Sequence, residues 1–103
     1  MLKAQFFIRK TILFIRFSGE LDQKSVEKMR IRVTELISNY KIEYLIINCR
    51  ELNFMDSTGI GVLLGRYKTL KSRNKGIYIK NANQTIDKIF NMSGIYQIMP
   101  KIS

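Results

Sequence analysis

Asp56, Ser57 and Thr58 stand side by side in the stretch NFMDSTGIGVLLG, with glycines at positions 59, 61 and 65 close behind them. A carboxylate beside two hydroxyls can serve nucleophilic chemistry, a phosphate cradle or a helix cap. Spacing removes several of these uses. GIGVLLG reads GxGxxxG and misses the dinucleotide fingerprint GxGxxG by one position. A P-loop needs GxxxxGK followed by Ser or Thr, whereas Arg66 and Tyr67 follow Gly65. The GxSxG elbow of serine hydrolases is absent as well. The chain contains no histidine, which removes Ser-His-Asp and Cys-His catalysis and most zinc sites. Ser57 therefore lacks an ordinary general base, yet it can still accept a phosphate delivered by another protein.

The same cluster has a purely structural use. A helix start exposes unpaired N–H groups and a partial positive charge. Asp56 or Ser57 as N-cap satisfies some of those donors, for roughly 1 kcal/mol. The glycines argue for more than a cap. Gly59 and Gly61 fall in the first turn, where each costs roughly 1 kcal/mol relative to alanine. Their expected use is close approach, either to a sheet below or to another molecule above. Gly65 is expected to seat the helix tightly on the sheet.

The elements that position this stretch follow from periodicity. Ala4–Ile8 and Thr11–Phe17 read as two strands around Arg9 and Lys10, with Leu13, Ile15 and Phe17 on one face. SGELD is expected to break the second strand, with a turn at Gly19 and a cap at Asp22 or Ser25. From about Lys24 to Asn39, Val26, Met29, Val33, Leu36 and Ile37 recur at helical spacing. Tyr44–Cys49 is a short apolar run that suits a central strand covered on both faces or nearly so. RELNF then reads as a loop.

Thr58 to about Arg73 is helical in pattern, with Ile60, Leu63, Leu64, Tyr67 and Leu70 on one side. Gly76–Lys80 is a further strand. NANQTIDKIFNMSG gives a short helix with Ile86, Ile89 and Phe90 inward, stopped near Gly94. YQIMPKIS is expected to be extended. After the hairpin, strands and helices alternate, and right-handed crossovers make the central strands parallel. No internal repeat, linker or low-complexity segment divides the chain. The expectation is one α/β domain over residues 1–103, a small mixed sheet flanked by helices, with DSTG at the carboxyl end of the central strand, where sites gather.

Composition sets the setting. The 103 residues are 46% hydrophobic and 25% charged, an ordinary globular balance. Cys49 is the one cysteine, which excludes an internal disulfide and fits a reduced, cytoplasmic protein with the thiol in its core. The start MLKAQFFIRKTILFIRF is interrupted by Lys3, Arg9, Lys10 and Arg16, so no secretory signal or membrane span is expected. The net charge of +10 favours an acidic protein surface, anionic lipid or nucleic acid as partner. The positive residues are spread rather than blocked, and no RNP, KH or zinc-finger pattern accompanies them.

SGELD, then ELNFMDSTGIGVLLGRYKTLK, then IDKIFNMSGIYQIM resemble the anti-sigma-factor antagonists of the STAS domain family, over roughly Ile12 to Met99. The likeness is greatest to members that act in sporulation, on the first forespore sigma factor. The resemblance implies a regulated binding module, not an enzyme, with no cofactor and no metal. Its unmodified form binds an anti-sigma factor that is also a serine kinase carrying ATP or ADP, and so frees the sigma factor. The kinase phosphorylates the serine after the motif aspartate, here Ser57, and a serine phosphatase reverses the step. Asp22, Asp56, Thr58, Gly59, Ile60 and Gly61 are the implied partner-binding residues, the two glycines leaving room for the kinase. Asp56 orients its neighbour or serves only as a cap, and Asp22 contacts the partner or caps the first helix. No direct nucleic-acid or membrane contact is implied. Family members usually continue into a further helix, so the C-terminal edge is expected to be trimmed or uncovered. The alternatives are an antagonist of a general stress-response pathway and, from another class, a basic nucleic-acid-binding protein; a transporter's cytosolic domain is disfavoured.

Overall fold

In the computed structural model, which describes residues 2–56, 58, 59, 61, 62, 65, 68 and 76–102, the chain opens on a hairpin. Strand β1 (Lys3–Arg9) pairs antiparallel with β2 (Ile12–Leu21), and Arg9 lies opposite Ile12 across a two-residue link. Lys10 in that link takes a left-handed φ of 55°, as tight hairpins demand. Leu13, Ile15 and Phe17 all face the core and are buried.

β2 does not break at SGELD but runs on to Leu21. Register shifts between Arg16 and Ser18, and between Gly19 and Glu20, let the strand bend and continue beside its neighbour. Gly19 holds φ 96° there, so its conformational freedom serves a bulge rather than a turn. Helix α1 (Gln23–Asn39) then buries Val26, Met29, Val33, Leu36 and Ile37, the whole of the anticipated stripe.

β3 (Tyr44–Met55) also outruns its expected end, because RELNF is strand and not loop. Glu51, Leu52 and Met55 pair with Ser18, Gly19 and Leu21 of β2. Leu52 and Met55 are buried, while Arg50 and Glu51 are both exposed, which is why this segment looks solvent-facing in sequence. β4 (Gly76–Lys80) accompanies β3 only from Tyr44 to Asn48. Past that point the Asn83 side chain takes over. Its Nδ2 donates to the carbonyls of Cys49, Arg50 and Leu52 at 3.2, 3.1 and 2.6 Å. Its Oδ1 accepts from the Ile86 N–H at 3.0 Å, as N-cap of helix α2 (Gln84–Ser93).

Ile86 and Phe90 of α2 are buried, Ile89 packs partly buried against the same core, and Gly94 closes the helix at φ 77°. The tail is not extended throughout. Ile95–Gln97 forms a 3-10 turn before β5 (Lys101–Ile102) joins β4 in parallel. Ile95 and Met99 are both buried, and a helical turn, with Met99 N–H donating to Ile95 O at 2.8 Å, brings that spacing to one side.

The strand order is β1-β2-β3-β4-β5, antiparallel for the first pair and parallel for the rest. This is the mixed α/β sheet anticipated from sequence. Right-handed crossovers that always step the same way place their helices on one face. The other face is left open. Contrary to expectation β3 is therefore not covered on both sides: Leu45, Ile47 and Cys49 are buried, but Tyr44, Ile46 and Asn48 only partly. Among the described residues no helix is long and apolar enough to cross a membrane.

The Asn83 clamp is testable by stability. Asn83→Ala should lower the free energy of urea unfolding by about 2–4 kcal/mol, from a lost cap and unsatisfied carbonyls. Asn83→Ser, which keeps a capping oxygen, should recover about 1 kcal/mol of that loss.

Candidate functional site

β2 and β3 end side by side, with Leu21 opposite Met55 as their last pair. The next residues are Asp22 and Asp56, and each begins a helical segment. Asp56 N–H donates to the Leu21 carbonyl at 3.3 Å, which ties the second turn to the first. The two helix starts thus lie together at the carboxyl ends of parallel strands, where partial positive charge and unpaired amides collect.

Of the two candidates for the first cap, Asp22 takes the role. Its Oδ1 accepts from the N–H groups of Lys24 and Ser25, both at 3.1 Å, and Ser25 Oγ accepts from Asp22 N–H at 3.1 Å. This is a closed capping box. The Ser25 amide, followed by the Ser25 hydroxyl, holds the Asp22 carboxyl below its usual range. At the second start Asp56 Oδ1 accepts from Gly59 N–H at 3.0 Å, the bond an N-cap makes to the third helical residue. Thr58, Gly59, Gly61, Val62, Gly65 and Lys68 are helical. Ser57 and Ile60 lie outside the described residues, as do Leu63, Leu64, Tyr67 and Leu70 of the expected inward stripe.

The glycines divide their labour differently from the sequence reading. Gly59 is buried, and a Cβ there would stand 2.9 Å from the Leu21 carbonyl oxygen and from Met55 Cγ. What Gly59 makes room for is the end of the sheet, the first of the two close approaches expected for it. A Cβ at Gly61 would meet none of the described residues within 4 Å, and Gly61 is exposed, as is Thr58. A Cβ at Gly65 would also meet none of the described residues within 4 Å, so among these it is Gly59 and not Gly65 that seats tightly on the sheet.

Sequence reasoning missed Phe54, which is 45% exposed beside the two caps and opposite Glu20. Sequence periodicity carried no signal for it, because the register shift between Gly19 and Glu20 leaves Asn53 and Phe54 both exposed between the buried Leu52 and Met55. Cys49 is buried as expected, and burial pushes its thiol up to about 12, so it is neutral and packs as a small apolar group. Among the described residues no cluster of three or more Cys, Asp or Glu could hold a metal ion.

The STAS domain pattern matches residues 4–103. The chain belongs to the STAS domain family. It is 35% identical over 89 residues to the anti-sigma F factor antagonist of Paenibacillus polymyxa, covering 86% of this chain and 76% of that one. Its fold superposes on the unphosphorylated anti-sigma factor antagonist SpoIIAA with a TM-score of 0.85 and 30% identity, over 98% of this chain and 89% of the other. Against the Bacillus cell fate determinant SpoIIAA in its phosphorylated form the TM-score is 0.77, again at 30% identity, over 98% and 92%.

Two measurements probe how this STAS domain holds its helix starts. Gly59→Ala should destabilise by about 1–3 kcal/mol, because a backbone carbonyl cannot step aside. Gly61→Ala should stabilise by about 0.5–1 kcal/mol, because an open helical position gains alanine's propensity. Thermal unfolding of the two variants separates the signs. The Asp22 cap adds acid sensitivity. Its folded pKa lies below the ordinary 3.8, so its stabilisation is complete above that value and is lost as pH falls through the folded one. Urea midpoints taken below about pH 5 should decline less steeply in Asp22→Asn, which keeps a capping oxygen without the titration.

Proposed function

We propose that this STAS domain is an anti-sigma-factor antagonist, without catalytic activity of its own, that is switched by phosphorylation of Ser57. Unmodified, it docks on an anti-sigma factor that is also a serine kinase carrying ATP or ADP, and the sigma factor is released. Phosphate on Ser57 ends the docking, and a serine phosphatase restores it. The setting is the cytoplasm, and the process is sporulation. The reading is supported by the relatives named as anti-sigma F factor antagonists and by SpoIIAA, a solved relative known in unphosphorylated and phosphorylated forms.

The observation that carries the proposal is the meeting of two helix starts at adjacent strand ends, with Ser57 directly after the second cap. Asp22, Asp56, Thr58 and Gly61 contribute to the docking surface, Ile60 is the further partner-binding residue that the family resemblance implies, and Phe54 adds exposed apolar area. Gly59 supports this surface from below, where a Cβ would press on Leu21 and Met55.

Phosphate adds about −1.5 to −2 charges and three acceptor oxygens. A free helix start tolerates that anion, because its amides and dipole favour negative charge. Inside a closed interface the same charge must be desolvated against the partner's surface. A penalty of about 1.4 kcal/mol shifts affinity tenfold, so a modest clash is enough to reverse a competition with a sigma factor.

Mixing the protein with its organism's anti-sigma kinase and ATP, then mapping phosphate by mass spectrometry, should find one dominant site at Ser57. Ser57→Ala should remove the label while keeping kinase binding, and Ser57→Asp should weaken binding about tenfold or more. Labelling of Ser57→Ala at the wild-type level would falsify the site.

A further inference from the structure

The register aligns the outward side chains of the open sheet face into rows. One row crosses four strands as Phe7, Phe14, Ile46 and Tyr78. The row beside it runs Gln5, Arg16, Asn48 and Lys80, and on the other side Arg9, Ile12 and Tyr44 align. The Phe7 and Phe14 ring centroids are 6.0 Å apart, and those of Tyr44 and Tyr78 are 6.3 Å apart. Phe7 is 62% exposed, although it is among the largest apolar side chains of the chain. A shallow depression of about 230 Å³ lies at the centre, lined by Phe7, Phe14, Arg16, Ile46, Asn48 and Lys80.

We propose that this open face is a second binding surface, which takes single-stranded nucleic acid by stacking bases on the aromatic row and phosphates on the cations beside it. Lys3, Arg9, Arg16 and Lys80 occupy the outward positions of the strands, and Arg16 meets Glu51 at 3.7 Å. The whole chain carries +10. A purely apolar partner would strip water from these cations without replacing it. A second copy of the chain would set the same cations against each other across the interface. A flexible strand of nucleotides supplies flat rings and regular negative charge together, the pairing that aromatic and basic surfaces recognise. A duplex hides its ring faces and is disfavoured.

The surface escapes any linear motif because its rings come from four separate strands. It is also remote in kind from the docking site at the strand ends, so either can fail without the other.

Fluorescence anisotropy with a labelled oligothymidylate of about 15 nucleotides, at about 150 mM salt, tests the assignment. The expected result is binding at least about tenfold tighter than to a duplex of equal length. Phe7→Ala and Tyr78→Ala should each weaken binding about tenfold or more, with unchanged circular dichroism. Phe7→Leu, which keeps apolar area but no ring face, should behave like Phe7→Ala. Arg9→Ala and Lys80→Ala should each reduce the slope of log affinity against log salt by about 0.7. Wild-type affinity in Phe7→Leu and Tyr78→Ala, or equal binding of the duplex, would overturn the proposal in favour of diffuse charge attraction. Displacement of the probe by polyglutamate as readily as by unlabelled oligonucleotide would also overturn it and assign the face to an acidic protein.

Discussion

Beyond Lys80, where β4 stops, β2 and β3 continue together as a two-stranded ribbon. Such a ribbon is marginal by itself in water. Here one face is buried through Leu21, Leu52 and Met55, and the Asn83 amide supports the outer backbone of β3. The ribbon delivers Asp22 and Asp56 to the same level of the molecule. Had the strands parted at Phe17 and Cys49, as a loop at RELNF would require, the two caps would hang from independent loops. Asn83 also caps α2, so one side chain links the ribbon, the following helix and the end of β4. The helix starts are placed by the sheet and not by their own turns.

Much of this architecture is legible in the sequence because it is periodic. The stripe of α1 and the alternation of Leu13, Ile15 and Phe17 are local patterns, and burial follows them residue for residue. Gly76–Lys80 is strand over the anticipated length for the same reason. The ribbon is harder to see. Arg50 and Glu51 interrupt its alternation, and its outer support comes from a residue 31 to 34 positions away. Tyr44 and Ile46 misled in the opposite sense, since an apolar run suggests cover on both faces when strand order leaves one face open. At the site, residue types identified two caps, but only three-dimensional packing decides which glycine meets the sheet. Gly59 and Gly65 look alike in sequence, and a missing Cβ matters at the first because Leu21 and Met55 end beneath it.

The fold separates two kinds of surface. Helices collect on one side, because every crossover steps in the same direction, and the strand ends carry the polar turns. The remaining side presents rings and cations that, among the described residues, no helix covers. A domain of this size thus offers an end and a face, built by different parts of the chain. Lys3, Arg9, Arg16 and Lys80, scattered in the sequence, come to outward positions of one face when the strands are aligned.

The tight seat of Gly59 also bears on how a signal leaves the molecule. A side chain at position 59 would press on the Leu21 carbonyl and the Met55 side chain, so the start of this helix lies close on the end of the sheet. Under the proposed switch, the information is then written on the exterior in charge alone, with no lever moving inside. Under that same proposal the domain would keep no memory of earlier rounds: once the added group is cleaved it would be competent again, and the speed of resetting would belong to the enzymes around it.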